Sequence, residues 1–430
     1  MDTLGPLELA HGVGRTYELP LPLYVYISAA VAAVVIAFVI RALRPEPGPL
    51  RPERRLAGGR GARGASVALL VVGVAGLVLC VASAIVDPGR GFTLPTMLFW
   101  VALVVGVTAL SCIADGVWEA GDPWAAADAA WRLPGDETTR QPGAWLGPLT
   151  IYALFWFELV SGVGFEGRGV LIALVTYTVY SFAIRSLFGT EYRWADPFRI
   201  LFGFAGRCAP LALRDDGIYY KGPLRELVPE EPMRVDETAA LFVLLASTTL
   251  DNIRETVMWG DLIHNLGLDA INVVVRDTFA LALFTLPFAG LFLGTVLIAQ
   301  RWVPDGGSAM ELARRLAPSL IPVGVAYVMA HNTSLLIVGI PGLIDATADL
   351  IGAAEPFAGY AASPKLVWFL EIAFIIGGHI LAVLAAHRIA IATTATHSDA
   401  IKSQYALTAL MSVLTVTTLW LLAQPLVTSG

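Results

Sequence analysis

Long, continuously apolar runs alternate with polar connections along most of the chain. Most runs approach the length of about 20 residues with which a helix crosses roughly 30 Å of hydrocarbon. They lack the apolar–polar alternation of barrel strands, and a backbone inside lipid must satisfy its own hydrogen bonds. The pattern therefore predicts ten membrane-spanning helices, at 22–43, 66–86, 95–114, 147–164, 169–187, 237–250, 278–299, 318–340, 366–387 and 405–424.

The composition agrees with this pattern and argues against several other classes of protein. Of the 430 residues, 56% are hydrophobic and 15% are charged, and the mean hydropathy is +0.69. Soluble domains carry about 25% charged residues. We therefore predict an all-α polytopic bundle that forms a single integral membrane domain over 1–430 and contacts the lipid bilayer. A soluble enzyme, a nucleic-acid partner and a disordered chain are not expected, and no protein partner can be identified.

Basic residues are distributed unevenly between the connections. With ten spans, 22 of the 28 Lys and Arg residues lie at or after the ends of odd-numbered helices, and positive charge is typical of the cytoplasmic side. This predicts a multi-pass protein of the cell membrane with both termini outside. Residues 1–21 would form an outer arm, and 188–236 a cytoplasmic connection with interfacial segments. Within it, Asp215-Asp216-Gly217 predicts a turn before a short strand at 218–220.

Two histidines interrupt predicted spans, where a buried imidazole is costly unless it faces a partner or water. His331 lies in the eighth span, with Tyr327 one turn earlier, and it opens the polar run 331–334, which predicts a locally opened or packed segment. His379 lies in the ninth span after Gly378, which begins a seam of small residues that lets a neighbouring helix approach closely. The alternative for both histidines is ordinary hydrogen bonding between packed helices.

Acidic residues add to this polar set. Glu158 in the fourth span and Glu371 in the ninth lie at similar depths, roughly 7–9 Å below the outer helix ends at 1.5 Å per residue. A carboxyl group there would be protonated, bound to a cation or paired with an Arg or Tyr of a neighbouring helix. Asp251 follows the sixth span on the same side. We predict a proton or ion path whose candidate residues are Glu158, Asp251, Glu371, Tyr327 and Asn332.

A metal site is a second hypothesis for the same region. His11 in the outer arm, His331 and His379 are its candidate ligands, since imidazole suits divalent transition metals. No HExxH motif supports the hypothesis, and the histidines are far apart in sequence. The same groups would also suit a proton relay, because His titrates near neutral pH.

Glycine-rich motifs give no nucleotide-binding signal. Two stretches match GxGxxG, at 59–64 and 162–167. Neither follows a strand of a βαβ unit, which the dinucleotide-binding fingerprint requires. We interpret both stretches as flexible connections.

Five short stretches are spread along most of the chain: His11-Gly12 through Leu19-Pro20-Leu21-Pro22, Ala195-Asp196-Pro197-Phe198, Gly206-Arg207-Cys208-Ala209-Pro210, Ala330-His331 and Gly378-His379. In combination they resemble a prokaryotic multi-pass membrane family often labelled fenitrothion hydrolase. The resemblance implies a membrane-held hydrolase of organophosphate esters, and it implies no particular catalytic residue.

Three functions follow from these observations. The preferred one is permease-like handling of protons, metal or a small solute by the intramembrane His and acidic residues. The second is a metal-dependent hydrolase, in which a metal on His11, His331 and His379 activates water and Glu371 or Asp251 is the general base. The third is a non-catalytic subunit of a membrane complex, in which the buried polar residues only pack.

Overall fold

The computed structural model describes residues 21–43, 50, 52–131, 141–254, 256–303 and 307–423. In chain order, the helices are α1 Leu23–Ala42, α2 Gly59–Val86, α3 Leu94–Ile113, α4 Val117–Gly121, α5 Pro123–Trp131, α6 Leu146–Leu159, α7 Gly167–Phe188, α8 Pro197–Cys208, α9 Val235–Arg254, α10 Val257–Asn265, α11 Val273–Ala299, α12 Ala309–Leu316, α13 Ile321–His331, α14 Thr333–Leu350, α15 Pro364–Thr393, α16 His397–Ser403 and α17 Tyr405–Leu422. The strands are β1 Arg54–Gly58, β2 Ala114–Asp115, β3 Leu211–Arg214 and β4 Gly217–Tyr220.

Long apolar helices dominate this architecture and confirm an all-α polytopic helix bundle. Many of their Val, Leu and Ile side chains are exposed, as expected of helices whose solvent is lipid. Among the described residues, eight helical stretches have the length and composition to cross a membrane: Leu23–Ala42, Gly59–Val86, Leu94–Ile113, Gly167–Cys208, Val273–Trp302, Thr333–Leu350, Pro364–Thr393 and His397–Leu422.

The fourth and sixth predicted spans differ from the helices observed, and so does the eighth, predicted at 318–340, which is divided between α13 and α14. The span predicted at 147–164 is too long, because α6 ends at Leu159 and a turn follows. The span predicted at 237–250 is too short, because α9 extends over 20 residues with charged side chains at both ends. Most of α9 is buried by other helices of the chain, so it does not need the uniformly apolar surface of a lipid-facing helix.

Polar side chains begin several of the helices. Asp196 accepts hydrogen bonds from the N–H groups of Phe198 and Arg199 at the start of α8, and Asn272 accepts from Val274 and Val275 at the start of α11. Each cap satisfies backbone donors that have no partner within the helix.

The described residues cluster into two compact units. Unit 1 contains the described residues of Pro52–Gly222 and Asn332–Val367, and unit 2 contains those of Arg15–Arg51, Pro223–His331 and Trp368–Gly430. The single domain over 1–430 stays a prediction.

Aromatic side chains packed around Trp100 of α3 form part of the core of unit 1. Trp100 is 1% exposed and stacks between Phe157 and Phe165, at ring-centroid distances of 5.8 and 5.5 Å. Its indole N–H donates to the carbonyl of Gly164 at 2.7 Å. A buried Trp with a satisfied N–H combines a large apolar area with a fixed orientation. This hydrogen bond holds the turn that follows α6 against α3.

A four-stranded sheet in the order β1-β4-β3-β2 accompanies the helices of unit 1. Strands β3 and β4 form an antiparallel hairpin around Asp215 and Asp216, which confirms the turn and strand predicted at 215–220. The interpretation of 59–64 as a flexible connection is wrong, because these residues form the first turns of α2. The second glycine-rich stretch, 162–167, does form the turn between α6 and α7.

The helices of unit 2 surround α9. Gly324 of α13 lies against the side chains of Leu241, Leu244 and Leu245, where an added Cβ would meet carbon atoms at 3.3–3.6 Å. Near the chain's first helix, a second cluster packs α1, α13, α15 and α17 together through Tyr26, Ala30, Ala330, Trp368, Ile372, Ile375 and Leu419.

Candidate functional site in unit 2

The eighth predicted span is interrupted next to its polar run. Helix α13 ends at His331, and α14 begins at Thr333. The intervening Asn332 has φ −92° and ψ 12°, outside the regular helical region. The polar run at 331–334 therefore correctly predicted a local opening. It places His331 at the C-terminal end of α13, where the helix dipole favours positive charge.

His331 is paired with an acidic residue of α9. Its Nε2 lies 2.6 Å from Oδ2 of Asp251, and the two side chains are 13% and 6% exposed. A charge-assisted hydrogen bond of this length, largely shielded from solvent, is strong. The sequence predicts Asp251 in the proton or ion path and His331 as a candidate metal ligand or part of a proton relay, and the structure brings the two side chains into contact.

Asn252 determines which nitrogen of His331 carries the proton. Its Nδ2 lies 3.1 Å from Nδ1 of His331 and also donates to the carbonyl of Thr248 at 2.9 Å. Because an amide nitrogen only donates, Nδ1 must accept and Nε2 must carry the hydrogen that Asp251 receives. The pair is therefore a neutral imidazole with an Nε2–H group facing a carboxylate.

Two more predicted residues belong to this neighbourhood. Tyr327 is 4% exposed and lies one turn before His331 on α13, where the charge of Asp251 acts on its hydroxyl group. Glu371 of α15 is half-buried, and its carboxyl group lies within electrostatic range of His331. Three of the predicted path residues, Asp251, Tyr327 and Glu371, thus lie near His331 within unit 2.

Two buried donors in the same helix cluster were not predicted. Tyr26 and Trp368 are 9% and 7% exposed, and their rings meet edge to face at 5.8 Å. The Tyr26 hydroxyl and the Trp368 indole nitrogen have no hydrogen-bond partner among the described residues. Trp368 lies one turn before Glu371 on α15, and both aromatic residues belong to the same hydrophobic cluster as Ala330, the neighbour of His331. Buried donors of this kind normally bond to water or a ligand.

His379 lies elsewhere on α15. It is 2% exposed, and its Nδ1 lies 2.8 Å from the carbonyl of Ile375, to which it donates. Eight residues separate it from Glu371, which corresponds to roughly 12 Å along the helix. Its Nε2 is buried without a hydrogen-bond partner among the described residues.

The predicted metal site is not assembled by the described residues. Among them, no three His, Cys, Asp or Glu side chains are close enough together to hold a metal ion. His11 lies outside the described residues. A metal on His11, His331 and His379 therefore stays a prediction.

The two remaining path residues belong to unit 1. Glu158 is half-buried near the C-terminal end of α6, and Asn332 is the residue before α14. A shared site of Glu158 and Glu371 stays a prediction.

An exposed counterpart of the His331–Asp251 pair lies in the same unit. Nδ1 of His264 is 3.0 Å from Oδ2 of Asp269, with side chains 81% and 58% exposed. Its chemistry resembles that of the buried pair, while its surroundings are solvent. It therefore provides a control for effects that depend on burial.

The chain matches none of the protein-family models, curated proteins or solved structures with which it was compared. The resemblance to the fenitrothion hydrolase family stays a prediction.

Proposed function

We propose that this polytopic membrane protein is a proton-coupled permease and that the His331–Asp251 pair carries the proton. The supporting observation is the 2.6 Å contact between these groups at a helix break inside an apolar bundle. An ionisable pair in such a place is unfavourable for packing alone and is typical of proton relays in transporters. We further propose the cell membrane as its location, with both termini outside.

The hydrogen bonds of Asn252 couple the charge of His331 to the end of α9. When the imidazole binds a second proton, its Nδ1 becomes a donor and opposes the Asn252 amide N–H. Turning the amide by 180° lets its oxygen accept from Nδ1. That oxygen then faces the Thr248 carbonyl, so the bond at 2.9 Å is lost. Proton uptake thus reverses the direction of the hydrogen bond between His331 and Asn252 and removes the hydrogen bond between Asn252 and Thr248 within α9.

The unpartnered donors of Tyr26 and Trp368 support the handling of a small polar solute beside this pair. A solute with oxygen acceptors would satisfy both groups, and Glu371 would add a titratable carboxyl group on the same helix. A helix break next to a binding site is also common in secondary transporters.

A pH-jump measurement tests this function. With the protein in membranes on a solid support, a step in external pH should produce a transient charge displacement as the pair takes up or releases protons. Asp251→Asn and His331→Gln should reduce the transient to that of protein-free membranes. His264→Gln removes the exposed imidazole and should leave the transient unchanged.

The opposite results would exclude the proposal. A transient of full size in both Asp251→Asn and His331→Gln would show that the pair only packs the helices. If either variant unfolds, the tautomer provides a second test in the unaltered protein. Nitrogen NMR of His331 should show protonation at Nε2 at alkaline pH, and protonation at Nδ1 alone would contradict the role assigned to Asn252.

A further inference from the structure

Arg60 and Arg63 head a stripe of exposed apolar side chains on α2. The two arginines are exposed, and Val67, Val71 and Val74 follow them at intervals of three or four residues. Residues at this spacing share one helix face. The three valines are 61%, 61% and 41% exposed, so no other part of the described chain covers this face.

The two guanidinium groups have no ion-pair or hydrogen-bond partner among the described residues, and two acidic residues of the neighbouring segments have other partners. Glu53 receives a bidentate hydrogen bond from Arg214 at 2.6 and 2.9 Å. Asp216 accepts from the Tyr219 hydroxyl. Two unneutralised positive charges therefore lie side by side at the end of a lipid-length helix.

The spacing along the helix matches one lipid molecule. From Arg63, Val67 and Val74 lie roughly 6 and 16 Å further along the axis at 1.5 Å per residue. Half of the hydrocarbon core is about 15 Å thick. A phosphate held by both arginines would thus place an acyl chain along the valines. Guanidinium groups suit phosphate because they donate paired hydrogen bonds.

We propose that this face of α2 is a binding site for an anionic phospholipid. Arg60 and Arg63 hold the headgroup phosphate, and Val67, Val71 and Val74 contact one acyl chain. The complementary charge and the apolar stripe directly below it distinguish this occupant from a soluble anion, which would leave the valines uncovered. The proposal is independent of proton transport in unit 2.

Native mass spectrometry of the detergent-purified chain tests the site. With equal additions of dioleoylphosphatidylglycerol and dioleoylphosphatidylcholine, the wild type should retain the anionic lipid preferentially. Arg60→Gln/Arg63→Gln should lower the affinity for phosphatidylglycerol by about tenfold or more, because each basic residue near an anionic surface contributes on the order of fivefold. Arg60→Lys/Arg63→Lys should retain most of the preference.

Arg54→Gln is the matched control. Arg54 is exposed only six residues before Arg60, but it lies on β1 and outside the helical stripe, so its loss should leave lipid retention unchanged. Equal retention of phosphatidylglycerol by the double Gln variant and the wild type would overturn the proposal. Equal retention of both lipids by the wild type would also overturn it. A dimer in which a second copy of the chain covers this face of α2 and excludes the lipid would overturn it as well.

Discussion

Arg185 and Asp122 form an ion pair that is almost entirely removed from solvent. Their charged groups meet at 2.7 Å, and the side chains are 3% and 0% exposed. Both charged groups make further hydrogen bonds. Arg185 donates to Ser181 at 3.1 Å, and Asp122 accepts from the N–H of Trp124 at the start of α5. A buried pair that is also hydrogen-bonded to both helices specifies how α7 and the start of α5 meet.

Breaking this pair should be strongly destabilising, because the remaining charge stays buried without compensation. We expect Arg185→Met to lower the free energy of unfolding by about 3–5 kcal/mol. Arg90→Gln is the control, since Arg90 pairs with Glu166 at 3.1 Å while 65% exposed, and its loss should cost about 0–1 kcal/mol. Unfolding of both variants in mixed detergent micelles gives the comparison. A similar midpoint for both would refute a structural role of the buried pair.

Single charged residues inside apolar runs could be recognised from the sequence, but their partners could not. His331 and Asp251 stood out by type and position, and both belong to the observed site. Asn252 was missed because an amide beside a polar helix end is ordinary, and its effect depends on the distance to His331. Tyr26 and Trp368 were missed because aromatic residues near helix ends are typical of any membrane protein.

Gly378 shows how a single residue sets the contact between two helices. A Cβ at this position would lie 2.3 Å from Cβ of Ala326 and 2.6 Å from the carbonyl oxygen of Pro322. Helix α15 therefore approaches α13 more closely than any larger residue permits. The seam of small residues that was predicted to begin at Gly378 is confirmed at that position. Ala382 and Ala386, which follow at intervals of four residues, are also buried.

Adding one methyl group at Gly378 should separate these helices. We expect Gly378→Ala to lower the free energy of unfolding by about 1–3 kcal/mol, as overpacking does in a close-packed interior. Gly377→Ala is the neighbouring control, because nothing lies within 4 Å of its added Cβ. That variant should be neutral or gain up to about 1 kcal/mol from helix propensity. Equal unfolding midpoints for the two variants would argue against the close contact.

The start of α2 shows where composition misled the prediction of elements. Three glycines in 59–64 suggested a flexible connection, yet the stretch is helical. A Cβ on Gly59 would lie 3.4 Å from the carbonyl oxygen of Asp216, which is an ordinary van der Waals distance, so the contact with the β3–β4 turn does not require glycine. Glycine lowers helix propensity but does not prevent a helix whose other residues favour it, so glycine content alone did not distinguish a flexible connection from a helix end.

At the scale of the whole molecule, the number of spans depends on which helices face lipid. Helix α9 carries charged residues that exclude it from the eight candidate spans, yet most of its residues are buried by other helices of unit 2. Helix α6 is apolar but has only 14 residues. If α6 and α9 both cross the membrane, the number of spans rises from eight to ten. Either number is even, so both counts place the two termini on the same side of the membrane. The excess of basic residues that predicts this side to be the outside is obtained with ten spans.

The orientation of the chain in the membrane can be measured by labelling single cysteines on either side of α2 and directly after α14. In a chain whose Cys80, Cys112 and Cys208 are replaced by Ser, we expect a membrane-impermeant maleimide to label Val86→Cys and Ile351→Cys on intact cells. Leu56→Cys should react only after permeabilisation, because it lies among the basic residues that favour the cytoplasmic side. All three positions are exposed, at 85%, 77% and 52%, so access depends on the membrane alone. Reaction of Leu56→Cys on intact cells would reverse the orientation, and equal labelling at residues 56 and 86 would mean that α2 does not cross.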